Sequence, residues 1–169
     1  MSKWSRLKVA MLTASATLMA LSLSSCLGDN WWPRLQQYVD LGKSYGIPVM
    51  FHSCGSSSWA FEDFIEMGID IIDTLQPEAA NMSPAYLKRR FGDRLAFHGC
   101  ISTGGPVAYG TVAETIANVR ETLEVMMPGG GYALAPSHQL QDNSPTENVV
   151  AMYEAARKYG WYDPLVEEK

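Results

Sequence analysis

Basic residues are in short supply in this chain: 13 Lys and Arg stand against 18 Asp and Glu, a formal net charge of −5. With no basic stripe to neutralise phosphates, nucleic acid is excluded as a partner. Cysteine is scarcer still. Three cysteines cannot close a disulfide framework, and Cys26 belongs to a different stretch of chain from Cys54 and Cys100. Internal repeats are missing at the level of residues. Apolar side chains are plentiful, at 47% of 169 residues, enough for one globular domain.

The first 30 residues read as a targeting segment. Lys3, Arg6 and Lys8 form a basic start, Val9 to Leu23 carries no charge, and Leu23-Ser24-Ser25-Cys26 ends the stretch with small residues. That order describes a secretory signal. The tetrapeptide also resembles a bacterial lipoprotein box, which implies lipidation at Cys26, residues 1–26 as a leader and 27–30 as a short tether. On this reading the membrane is met only through the lipid, at the cell membrane or its periplasmic face. If the leader is not genuine, reduced Cys54 and Cys100 suit the cytoplasm.

From residue 31 to 169 the chain alternates strand and helix signals. Four apolar runs, Ile47–Phe51, Ile69–Leu75, Leu95–Phe97 (extending to Ile101) and Tyr132–Ala135, read as strands. Helix patterns lie around them. Pro33 suits a first helical turn, and Gly46 with Pro48 makes a stop. A second helix runs from Trp59 to Met67 and stops at Gly68, and Ser83-Pro84 opens another that stops at Gly92. Thr111-Val112-Ala113-Glu114 is a capping box for a helix to about Met126. Ser144-Pro145-Thr146-Glu147 reads as a second, for a helix reaching Tyr159.

Alternating strands and helices predict a parallel sheet, with ligands at the carboxyl ends of its strands. The four runs end in His52-Ser53-Cys54-Gly55, Gln76-Pro77-Glu78, His98-Gly99-Cys100 and Pro136-Ser137-His138. One mouth is therefore expected to gather His52, Cys54, Gln76, Glu78, His98, Cys100 and His138. Four parallel strands want cover on both faces or closure into a barrel. An eight-stranded barrel needs about 250 residues; the fold class expected is α/β, a partial (β/α)8 TIM barrel of four strand–helix units. A second copy, or a separate half-barrel, would complete it. Trp31, Trp32, Tyr159, Trp161 and Tyr162, at the two ends of the domain, are expected to pack an open barrel edge or mark a docking patch.

Residues 31 to 160 resemble the C-terminal half of the uroporphyrinogen decarboxylase superfamily. The likeness is carried by residues 46–55 (GIPVMFHSCG), 91–101 (FGDRLAFHGCI), 128–138 (PGGGYALAPSH) and 145–149 (PTENV). It implies the (β/α)8 barrel and two reaction classes. One is decarboxylation of a tetrapyrrole, a lyase reaction that needs no cofactor, in which His138 falls where the family's last-strand histidine holds substrate. The family's aspartate and arginines lie in an N-terminal half that has no counterpart here, and none of the four strand ends carries Arg or Lys for substrate carboxylates. The other class is zinc-dependent methyl transfer from a methyl-corrinoid to a thiol. His52-Ser53-Cys54 matches the family's His-x-Cys zinc pair, while the Gly-rich turn 128–131 lacks the further cysteine. A non-catalytic lipoprotein module is the reading from outside enzymology.

His52 and Cys54 are two apart on an extended segment, as are His98 and Cys100, so each pair is expected to leave one face together. The two pairs could supply a His2Cys2 set for zinc. Gln76 and Glu78 are candidates for hydrogen-bonding a substrate, although Gln-Pro-Glu also simply shapes a turn. Gly129–Gly131 could cradle an anion, but better suits a loop that lets the chain turn. His138 is an acid, a base or a substrate ligand, or a satisfied loop histidine.

Overall fold

The computed structural model describes residues 31–162. In chain order these form α1 (Trp31–Ser44), β1 (Met50–His52), α2 (Phe61–Met67), β2 (Ile71–Leu75), α3 (Pro84–Phe91), β3 (Ala96–Ile101), α4 (Pro106–Tyr109), α5 (Val112–Met126), β4 (Tyr132–Pro136) and α6 (Thr146–Tyr159). The strands pair in parallel in the order β1-β2-β3-β4, the simple progression of a barrel segment. The expected four strand–helix units are present, and the sheet is consistent with a partial TIM barrel.

Register explains the two faces of the sheet. Phe51, Ile72, Phe97 and Tyr132 are cross-strand partners in one row, and all four are buried. They share the main core with helix residues such as Val39, Phe64, Leu87, Phe91, Val119, Leu123 and Met152. Phe51 meets Phe64 of α2 at 4.7 Å between ring centroids. Side chains alternate along a strand, so the neighbouring rows point to the other face. One row is Met50, Ile71 and Ala96; the next is His52, Asp73, His98 and Ala133. None of these residues is buried. In a complete barrel this face is the filled interior; among the described residues nothing covers it.

The helix ends follow the sequence signals in most places. Gly46 and Gly68 take left-handed φ of 68° and 93° after α1 and α2. Thr111 caps α5 in a complete capping box with Glu114: each side chain bonds the other's backbone N–H, and the glutamate also takes the threonine hydroxyl. The second expected box does not form. No side chain caps α6, and Ser144 Oγ is buried without a hydrogen-bond partner. Instead the Pro145 carbonyl accepts from the backbone N–H of Asn148 and Val149. The helix begins at Thr146 with Pro145 itself at the N-cap, so Ser144 lies one residue before the position from which a side chain caps.

One helical turn was not expected. A single turn, α4, follows β3, and Asn148 of α6 ties it down by donating to the carbonyls of Pro106, Val107 and Gly110. At the other end of the sheet, the Tyr162 hydroxyl donates to the Tyr132 carbonyl at 3.1 Å. Phe97 N–H bonds the Gly131 carbonyl, so alternation turns the Tyr132 carbonyl to the side away from β3. Tyr162 therefore sits on the edge of β4 away from β3.

Candidate functional site

The parallel register brings His52, the last residue of β1, beside Asp73 and His98, each the third residue of β2 and β3. Asp73 lies between the two imidazoles and bonds both. Its Oδ2 is 2.6 Å from His52 Nδ1, and its Oδ1 is 2.5 Å from His98 Nδ1. On the far side of the His52 ring, Nε2 stands 3.1 Å from Cys54 Sγ. The result is a chain of contacts, Cys54 to His52 to Asp73 to His98, running across three strands.

A bulge shapes this chain. Asp73 pairs with His98 and Leu75 with Gly99, so β2 spends an extra residue, Thr74, against β3. Thr74 has a left-handed φ of 64°, and its hydroxyl reaches both Asp73 Oδ2 at 3.3 Å and His52 Nδ1 at 3.0 Å. Opposite it, Gly99 has φ 112°. A Cβ on Gly99 would sit 3.1 Å from the Leu75 nitrogen, tighter than side chains normally pack. Only glycine meets both conditions without strain.

Electrostatics follow from the geometry. Burial alone would raise the Asp73 carboxyl, but hydrogen bonds and charge from His98 and His52 outweigh it and hold the group well below the usual carboxylate range. An ionised carboxylate only accepts, so both Nδ1 atoms are donors. The neutral His52 ring then has its lone pair on Nε2, facing the Cys54 thiol. Such a Cys–His–Asp line resembles a nucleophilic relay. Yet Cys54 is shifted up, first by burial and then by the charge of Asp73, the reverse of what an activated thiol needs. The arrangement suits a metal instead. A nitrogen and a sulfur lie adjacent, a metal between them would replace the thiol proton, and a carboxylate behind the imidazole fixes the tautomer. His52 and Cys54 thus fit two of the three protein donors of a catalytic zinc. Among the described residues no set of three or more His, Cys, Asp and Glu is disposed to hold a metal ion.

The other expected residues are placed as follows. Cys100 does not leave the sheet with His98. With φ 75°, on a backbone distorted at Gly99, its thiol is buried in the apolar core at 1% exposure. Burial and the nearby Glu78 charge push it up to about 12, so the pairing of His98 with Cys100 is corrected: period-2 alternation fails where the backbone turns left-handed. Gln76 Oε1 accepts the Gly55 N–H at 3.0 Å, pinning the loop after β1. Glu78 accepts from the Ser102 hydroxyl at 3.0 Å, linking the loops after β2 and β3. His138 is exposed just beyond β4, with two strands between it and β1. Gly129, Gly130 and Gly131 all have φ between 75° and 77°, as a tight turn into β4 requires. Cys26 and the leader lie outside the described residues. Sequence reasoning missed Asp73; its one signal was a carboxylate set inside the apolar run Ile69–Leu75.

A cavity of about 490 Å³ lies away from this row, beside the end of α5 and the chain after α6. It is lined by Arg120, Leu123, Met127, Tyr159 and Trp161, among others. Its lining carries none of the His, Cys and Asp side chains described above. Chemistry, not volume, locates the site.

Four parallel strands alternating with helices, in simple sequential order, place the domain in the class of partial β/α barrels. The particular family is shown by a profile match: residues 30–159 match uroporphyrinogen decarboxylase (URO-D), and the chain belongs to that family. Among solved structures, a methyltransferase from Methanosarcina mazei is similar at 23% identity and a TM-score of 0.61, over 78% of this chain and 36% of that one. The chain thus spans about a third of that protein's length. A search of curated proteins gives no match.

Proposed function

We propose that this domain is one half of a barrel that transfers a methyl group to a thiol with the help of zinc held by His52 and Cys54. The observation that carries it is the 3.1 Å approach of His52 Nε2 to Cys54 Sγ, backed by Asp73 on the opposite ring nitrogen. A structural neighbour that is a methyltransferase supports the same reading. When bound there, zinc would lower the pKa of a substrate thiol and keep it as thiolate. In the transfer, the bond between methyl carbon and donor breaks and its electron pair stays with the donor. The sulfur supplies the pair for the new C–S bond, and the thiol proton passes to water. Asp73, fixed between two imidazoles, holds the His52 ring in place from its far side.

The decarboxylase reading has less support in this mouth. A tetrapyrrole carrying several carboxylates needs cationic partners, and the row offers an anionic Asp73 with no Arg or Lys at the strand ends. His138, exposed beyond β4, is the residue left to serve it.

Zinc content of the purified full chain tests the proposal. About one equivalent in the wild type, lost in Cys54→Ala, supports it. Absence of zinc together with porphyrin binding that depends on His138 overturns it in favour of the decarboxylase. Either reaction needs the inner face closed, by a second copy of the chain or by a separate half-barrel, and sedimentation analysis distinguishes these. Lipidation at Cys26 is tested by the mass of the mature N-terminus.

A further inference from the structure

We propose that Asp73 is the positioning residue of the mouth: one carboxylate holds His52 and His98 together in the Nδ1–H tautomer, leaving Nε2 of each ring as its bonding atom. The inference deepens the zinc reading above, on which its second measurement rests.

Three observations carry it. First, the carboxylate is divided evenly, with one oxygen on each imidazole at 2.6 Å and 2.5 Å. A carboxylate that merely neutralised one histidine would have no need of this. Second, the register that creates the contact is built into the sheet, since His52, Asp73 and His98 are direct cross-strand partners. Third, the bulge that follows spends a left-handed threonine to place a further hydroxyl against Asp73 Oδ2 and His52 Nδ1. Since the ring nitrogen gives its one hydrogen to the carboxylate, the hydroxyl's own hydrogen goes to the carboxylate as well. Both imidazoles are then committed at Nδ1, and the lone pair of each neutral ring lies on Nε2. His52 turns that atom to Cys54. His98, bonded to the other carboxylate oxygen, is left with Nε2 as its own bonding atom.

The test is a long-range nitrogen–proton correlation spectrum of the full chain at pH 8.5, where an ordinary imidazole is neutral. Such a spectrum shows which ring nitrogen carries the proton. The chain has three histidines, and His138 serves as the internal control. In the wild type His52 and His98 should both show the Nδ1–H pattern. In Asp73→Asn, whose amide can donate as well as accept, both should become tautomer mixtures while His138 stays unchanged. Asp73→Glu keeps an acceptor-only group and should retain the Nδ1–H form for at least one ring. Wild-type rings protonated at Nε2, or patterns that ignore both substitutions, would overturn the proposal. A competition titration with a chromophoric chelator should show zinc affinity falling 10- to 100-fold in Asp73→Asn. If the tautomers respond but wild-type protein takes no zinc, the positioning role stands and the methyl-transfer reading falls.

Discussion

Thr74 Oγ1 lies 3.0 Å from His52 Nδ1, and the residue reaches that place only by adopting a left-handed backbone at φ 64°. A β-branched residue there costs roughly 1–3 kcal/mol and persists only where its surroundings enforce it. The bulge and the buried hydroxyl are that enforcement. Thr74→Val preserves the shape and deletes the donor to Asp73. It should lower stability by about 1 kcal/mol in urea titration, and weaken zinc binding less than Asp73→Asn does.

Acid should reveal Asp73. Its folded pKa is depressed, chiefly by the His98 and His52 hydrogen bonds acting against burial, relative to an unfolded value near 3.9. A depressed carboxyl contributes its full stability above the unfolded value and loses it as pH falls through the folded one. At pH 7 Asp73→Asn should be less stable than wild type by on the order of 2 kcal/mol. That gap should narrow progressively below about pH 4. A gap that does not depend on pH between 7 and 3 would contradict the bridging geometry.

The two cysteines of the domain should differ in reactivity. Cys54 is exposed, whereas Cys100 is buried with its thiol pushed up to about 12. In a Cys26→Ser background, a thiol reagent at pH 8 should modify Cys54 in the native state and reach Cys100 only after unfolding. Bound zinc should protect Cys54 from the same reagent. Peptide mapping of the modified protein reads both outcomes.

Two helix starts that look alike in sequence should respond oppositely to alanine. Thr111→Ala removes a complete capping box and should cost about 1 kcal/mol. Ser144→Ala removes a buried hydroxyl that has no partner, so its effect should be close to zero or slightly stabilising. Equal losses at the two positions would show that Ser144 caps α6 in solution.

Much of the fold was legible because it depends on local signals. Gly46, Gly68, Pro84 and the Thr111–Glu114 box mark boundaries that the structure keeps. The four apolar runs became four strands, though β1 shortened to Met50–His52, with Pro48 just upstream of it. The candidate site was legible only in part. His52 and Cys54 could be paired because they are two residues apart. Asp73 could not be joined to them, because its place beside His52 and His98 comes from register between strands 21 and 25 residues distant. Cys100 was misplaced for a related reason. Its spacing from His98 predicts a shared face only while the backbone stays extended, and Gly99 and Cys100 leave that region.

The tyrosine at 162 has a consequence for how the sheet meets other chains. An exposed parallel edge invites any stray strand to lengthen it. A phenol seated on the carbonyl of Tyr132 occupies the first rung of that ladder. Growth by chance is discouraged, while a partner able to bury the whole rim could displace the ring and take its acceptor.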